Sequence, residues 1–140
     1  MVSYRITALK EYLLEEVLQE LDDTILKLNI NFLSNNVDDY SLVKLPVEEV
    51  NKWITGEEIR KEQYNLVSRR TYSQTISDNI ENLGFFELVA EKIRENNQND
   101  ILPDIDGIEK IECLNCGSLI DRDTNTAVFS IQLQITYRKG

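Results

Sequence analysis

Apolar residues recur three and four apart over residues 3–23: Ile6, Leu9, Leu13, Leu14, Val17, Leu18 and Leu21. That spacing gathers them on one stripe and predicts an amphipathic helix. Lys10, Glu11, Glu15, Glu16 and Glu20 fall on the opposite face, and Ser3 or Thr7 can cap the start. Asp22 and Asp23 would oppose the dipole at a helix C-terminus, so the helix is expected to stop at or just before them. The period then changes. Leu26, Leu28, Ile30 and Phe32 alternate with Lys27, Asn29 and Asn31, which predicts a half-buried strand. Residues 34–39 form a turn cluster, and 40–45 a short strand stopped by Pro46. Trp53 and Ile54 suit the start of another strand, with Gly56 allowing a bulge or bend.

Residues 59–72 read as one long strand, polar enough to be exposed on one face or to project from the body. Residues 73–97 return to helical spacing through Ile76, Ile80, Leu83, Phe86, Val89, Ala90 and Ile93. Gly84 inside that stretch predicts a kink or a break into two helices. After a connector at 102–107, strands are expected over about 108–120 and 126–138, joined by a hairpin turn at 121–125. The last strand has the clearest pattern. Ala127, Phe129, Ile131, Leu133, Ile135 and Tyr137 face one way; Ser130, Gln132, Gln134, Thr136 and Arg138 face the other. Short turns between neighbouring strands predict one α+β domain spanning 1–140. Its sheet should be mostly antiparallel, with an N-terminal helix and a central helix (or kinked pair) on one face.

Composition supports a packed core and narrows the chemistry. Ile, Leu, Val and Phe make up roughly a third of the 140 residues, well above the level at which a charged chain stays unfolded. Fifteen Lys and Arg against 25 Asp and Glu leave a net charge of −10, which disfavours binding to nucleic acid or anionic lipid. With no His, the chain itself cannot supply a His-containing triad or His-ligated zinc. No glycine-rich phosphate loop occurs. Arg5, Lys10 and Glu11 interrupt the first residues, and no apolar run is long enough to span a membrane, so a cytosolic chain is expected.

Cys113-Leu-Asn-Cys116 has the spacing of a redox dithiol or half a metal site. Redox pairs of this kind open a helix, whereas these fall in an expected strand, where residues three apart face opposite ways. Small buried hydrophobes fit better. The acidic pairs, from Glu15-Glu16 to Glu57-Glu58, match no calcium loop, and Asp104, Asp106 and Gly107 are followed by Glu109 and Lys110, which break the pattern. A solvated acidic surface is the expected role. Trp53 and Tyr72 suit either interface anchors or the core. No pair of carboxylates is spaced so as to single out an acid and a base. No catalytic residue, metal ligand or cofactor site is therefore expected.

Several stretches together resemble a known family. They are 79–95 (Asn-Ile-Glu-Asn-Leu-Gly-Phe-Phe-Glu-Leu-Val-Ala-Glu-Lys-Ile-Arg-Glu), Leu102-Pro-Asp-Ile-Asp, Cys113-Leu-Asn-Cys-Gly117 and the closing Phe129-Ser-Ile-Gln-Leu-Gln-Ile-Thr-Tyr137. Asn31-Phe-Leu33, Asp39-Tyr-Ser41, Trp53-Ile-x-Gly56 and Arg69-x-x-Tyr72 extend the pattern over nearly the whole chain. In order and spacing these resemble the small tail-terminator, or tail-completion, proteins of tailed phages of Gram-positive hosts, which also form the collar of phage-tail-like bacteriocins. The resemblance implies a structural protein with no catalytic residue. It implies a ring, usually a hexamer, on the head-proximal end of the tail tube. That ring ends tube growth, offers the docking face for head or collar, and meets the last sheath ring if the tail contracts. Partners would be further copies of the chain, the tube protein, the sheath protein and neck or head-completion proteins. A head-tail connector or neck protein, and a non-viral acidic adaptor or inhibitor, are the alternatives.

A ring needs contact surfaces, and the two helical stripes are wide enough to be taken by the core. Contacts are therefore expected from loops and from the charged strand. The turn supplies Asn35, Asn36, Asp38 and Asp39. The long strand supplies Glu57, Glu58, Arg60, Lys61, Glu62, Arg69, Arg70 and Tyr72, and the hairpin turn supplies Arg122 and Asp123. The mixed signs of the long strand suit charge pairing between copies, with register as the expected benefit.

Overall fold

The N-terminal apolar stripe folds as expected, into a helix that runs from Arg5 and ends at Leu21, just before the two aspartates. It has three parts: α1 (Arg5–Tyr12), a π-helical turn (Leu13–Leu18) and α2 (Gln19–Leu21). The computed structural model describes residues 4–31, 33, 39–52, 56–71, 76–115, 118–122 and 126–139; at 47, 48, 52, 70, 71, 76–82, 118–122 and 126 it describes the backbone alone. Past the helix, Asp22 accepts hydrogen bonds from the Thr24 backbone N–H (3.0 Å) and hydroxyl (2.6 Å), turning the chain toward the sheet.

Among the described residues six strands follow: β1 (Asn29–Ile30), β2 (Asp39–Lys52), β3 (Glu58–Thr71), β4 (Ile108–Cys113), β5 (Ser118–Arg122) and β6 (Thr126–Lys139), with α3 (Ile76–Gln98) between β3 and β4. The sheet runs β1-β2-β3-β6-β4, and β5 also pairs with β6. Every pairing is antiparallel except β1 with β2. The fold is α+β. The closing strand is central: β3 pairs along its whole length on one side, and β4 and β5 share the other. Its apolar set (Ala127, Phe129, Ile131, Leu133, Ile135 and Tyr137) is buried in a single cluster with Leu9, Leu13 and Val17 of the N-terminal helix and Phe86, Val89 and Ile93 of α3. Both helices thus cover one face of the sheet.

Several elements differ from the sequence reading. The alternation at 26–32 yields only a two-residue strand; Leu26 is 79% exposed while Leu28 is buried. The strand expected to stop at Pro46 continues to Lys52. The pairing shifts between Lys44 and Glu48, and Pro46 falls within that irregularity. A proline is tolerated at such an irregularity, where the regular ladder is interrupted. β1 pairs only with Ser41 and Leu42, so among the described residues the outer edge of β2 beyond them has no neighbour. The expected strand start at Trp53 and Ile54 and most of the turn at 34–39 lie outside the described residues; Gly56, with φ of 89°, does lie where the chain bends from β2 to β3. α3 is one unbroken helix through Gly84 and does not split in two. A glycine costs about 1 kcal/mol relative to alanine in a helix, and burial of Phe86, Val89 and Ile93 outweighs it. Asp100, at φ of 58°, closes the helix while the Ile101 N–H donates to the Asn96 carbonyl (2.8 Å).

The strand expected over 108–120 is two strands. It stops at Cys113 and resumes at Ser118, and Leu114 and Asn115 bend away while still bonding Gln132. The opposite-faces reasoning for Cys113 and Cys116 therefore does not apply; Cys113 is half-buried against the core, and Cys116 lies outside the described residues. No described helix is long and apolar enough to cross a membrane.

Among the described residues two glycines sit in the left-handed region, and they differ in surroundings. Gly107 (φ 74°) accepts the Arg138 N–H at 2.8 Å, and a Cβ there would collide with the Arg138 carbonyl oxygen. Gly56 (φ 89°) has open space around its Cα. Both Gly→Ala changes carry a backbone cost of about 1 to 2 kcal/mol. Gly107→Ala is expected to lower the thermal midpoint further, because it also pushes the start of β4 off β6; equal shifts would contradict the close approach.

Candidate assembly surfaces and a buried charge cluster

β3 alternates two kinds of position. Arg60, Glu62, Tyr64, Leu66 and Ser68 lie opposite Tyr137, Ile135, Leu133, Ile131 and Phe129 of β6, on the side covered by the helices. Lys61, Gln63, Asn65, Val67 and Arg69 lie on the other side, with Thr136, Gln134, Gln132, Ser130 and Val128. The long charged strand does not project from the body. It is held along both edges, by β2 and by β6, so it cannot lie edge-on against a neighbouring copy.

Its charges are largely engaged within the chain. Glu62 is turned inward, with its side chain 1% exposed, which corrects its expected place at an interface. Oε1 accepts from Arg5 Nε (2.9 Å) and the Tyr64 hydroxyl (3.2 Å). Oε2 accepts from Arg5 Nη2 (2.9 Å) and Lys44 Nζ (3.3 Å). Arg5 also lies 4.9 Å over the Tyr137 ring. Burial alone would raise the Glu62 pKa. The hydrogen bonds and charge of Arg5, then Lys44, outweigh it and hold the carboxyl below its ordinary range. Burial and the Glu62 charge in turn push the Tyr64 phenol upward. A carboxylate held ionised and engaged at both oxygens is a poor proton acceptor. The cluster instead clamps the first turn of α1 to the sheet, beside a cleft of about 250 Å3 lined by Tyr4, Arg5, Ile6, Lys44, Glu62 and Tyr64.

The other expected interface residues are placed as follows. Glu58 pairs with Arg60 on its own strand (2.7 Å), and Glu57 with Arg138 (3.5 Å). Asp39 opens β2, opposite Arg69, and accepts both contacts of the Asn29 amide at 3.1 and 3.2 Å. Lys61 stands on the helix-free face between Glu49 and Thr136. Arg70 and Arg122 belong to β3 and β5 by backbone, with side chains outside the described set. Asn35, Asn36, Asp38, Tyr72 and Asp123 lie outside the described residues.

Two polar constructions went unforeseen. At the foot of α3, buried Asn96 donates to the Glu16 carbonyl (3.0 Å) in the π-helical turn and to the Tyr12 hydroxyl (3.4 Å). Burial pushes the Tyr12 pKa up to about 12. The Asn97 amide pairs with both the N–H and the carbonyl of Ile111, acting as a short substitute strand along β4. The second construction crosses the helix-free face. Gln132 donates to Gln63 (2.7 Å), Gln63 to Gln134 (3.2 Å), and Gln134 to Glu112 (3.0 Å). The alternating glutamines at 132 and 134 carried half of that signal; Gln63, in a segment dominated by charge, did not stand out.

Among the described residues no group of three acidic or Cys side chains is placed to hold a metal. No model of a known protein family matches the chain, and no curated protein matches it in sequence.

Proposed function

We propose that this chain is a structural subunit of a phage tail or phage-tail-like particle. In this reading it is a tail terminator that assembles as a ring, in the expected case a hexamer, on the head-proximal end of the tail tube. The ring ends tube growth and offers the docking face for the next component. Its partners are its own copies, the tube protein, the sheath protein in a contractile tail, and neck or head-completion proteins. Assembly takes place in the cytoplasm of the bacterial host, the protein works without a cofactor, and it is not an enzyme.

The observation that carries this reading is the one-sided sheet. Helices pack on one face, and on the other the glutamine ladder braces β3, β6 and β4 against one another. Such a cross-braced sheet suits a subunit that bears repeated contacts in an assembly. The family resemblance supplies the kind of assembly. A tube is a head-to-tail stack that does not close itself, so a terminator must bind its last open face and expose no equivalent beyond it. The acidic balance of the chain would let DNA pass without sticking.

The reading is tested by polymerising the tube protein of the same particle with and without this chain. Tubes shortened in proportion to added protein, each carrying a ring at one end by electron microscopy, are the expected result. Tubes of unchanged length with bare ends would refute it. Binding to an isolated portal or head instead would favour a connector.

A further inference from the structure

Leu26 is the most exposed large apolar side chain among the described residues, at 79%. The segment around it is anchored. Ile25 before it and Leu28 after it are buried, and Gln19 Nε2 donates to the Ile25 carbonyl at 3.0 Å. Leu26 and Lys27 are thereby held out in water, and among the described residues Lys27 makes no ion pair. The Asp22 carboxylate that precedes them is turned back onto Thr24. Leu26 lies just before β1, at one edge of the sheet; at the opposite edge a cleft of about 440 Å3 opens between α3 and β4. Ala90, Ile93, Ile111 and Cys113 form its apolar part, and the Asn97 amide bonded to Ile111 closes its foot. Leu83, one turn before Glu87 on α3, and Leu114, next after Cys113, are exposed and extend the apolar run toward the open end. On the rim Glu91 pairs with Arg94 and Glu112 with Lys110, whereas Glu87 is exposed and makes no ion pair among the described residues.

We propose that Leu26 of one copy seats in the α3–β4 cleft of a second copy, with Lys27 beside Glu87. An exposed leucine and an open apolar cleft each leave apolar surface in water, and joining them removes both. The two charges left without partners in the chain are opposite in sign, and one flanks each surface, so the same docking pairs them. The projecting leucine and the cleft lie at opposite edges of one sheet, so a copy that gives its Leu26 keeps its own cleft for the next. The contact is therefore head-to-tail, the kind that closes into a ring. The inference rests on the ring reading above and names its interface.

The test uses the full chain and its own Cys113, which lines the cleft. In a chain carrying Leu26→Cys and Cys116→Ser, oxidation with copper phenanthroline is expected to join position 26 of one copy to Cys113 of the next. The readouts are a ladder of linked chains on a non-reducing gel and a 26–113 cross-linked peptide by mass spectrometry. Adding Cys113→Ser should abolish the ladder and leave at most pairs joined through position 26. Without oxidant, the contact is read by mass photometry. Leu26→Ser is expected to raise the concentration at which rings dissociate by about tenfold or more. The thermal midpoint of the subunit should not move, because that side chain is already in water. Lys27→Glu and Glu87→Lys should each weaken the rings by a smaller factor, and the two together should restore them, which a loss of folding would not do. Rings that give no 26–113 link and tolerate Leu26→Ser overturn the proposed interface and leave the ring reading standing. A 26–113 ladder in an open-ended series of oligomers keeps the contact and removes the ring. A chain that is monomeric at every concentration and never cross-links removes both.

Discussion

Ile131→Ala is expected to cost about 2 to 5 kcal/mol of folding stability, a large share of the 5 to 15 kcal/mol typical of a domain. Ile131 is fully buried at the middle of β6, opposite Leu66, on the side packed by both helices. Truncation removes apolar contact and leaves a cavity among elements braced from several directions, so collapse can recover little of it. Its neighbour Gln132 points the other way. Gln132→Ala should cost about 1 kcal/mol, the worth of an ordinary hydrogen bond. Urea denaturation of the two variants checks both the position and the facing of the strand. Equal losses would mean the faces are exchanged; no loss at Ile131 would mean that the strand is not central.

Arg5→Ala is expected to cost about 2 to 3 kcal/mol near neutral pH, below the loss for a fully buried pair because Lys44 still reaches the carboxylate. The mechanism has a pH signature. The folded Glu62 carboxyl titrates below its ordinary value of 4.5. Folding therefore gains stability that is complete above that value and is lost as pH falls through the lower, folded one. Without Arg5 the carboxyl is easier to protonate in the folded state, so the penalty of the variant should shrink toward pH 4 or so. Adding Glu62→Gln should recover part of the loss at neutral pH, because no buried charge is then left poorly paired. A double variant less stable than Arg5→Ala alone, or a penalty that does not change with pH, would contradict the clamp.

How much of this could be read from the sequence depended on how local each signal was. The closing strand and both helices were legible because burial on one side writes a regular period into the residues themselves. The stretch at 26–32 shows the limit. The same alternation occurs there, yet only Asn29 and Ile30 find a neighbouring strand, and Leu26 remains in water. Pro46 and Gly84 are breakers by local propensity, and each is overruled by tertiary structure: an edge irregularity takes the proline, and packing below Gly84 keeps α3 whole. Glu62 was read as an outward charge because its partner Arg5 is 57 positions away, and nothing in the segment around Glu62 announces it. The glutamine ladder joins residues 63, 112, 132 and 134 across three strands, a relation that exists only once the register is known. Of the expected interface residues, Glu62 turns inward to Arg5, and Glu57, Glu58 and Arg60 form pairs within the chain, relations that join distant or facing positions and leave no local pattern.

The most direct test of the central claim is the assembly state of the purified full-length chain, followed by mass photometry over a range of concentrations and by electron microscopy of the largest species. A discrete closed ring, in the expected case of six copies, is the predicted result. A monomer at all concentrations, or an open-ended series of growing oligomers, would contradict it.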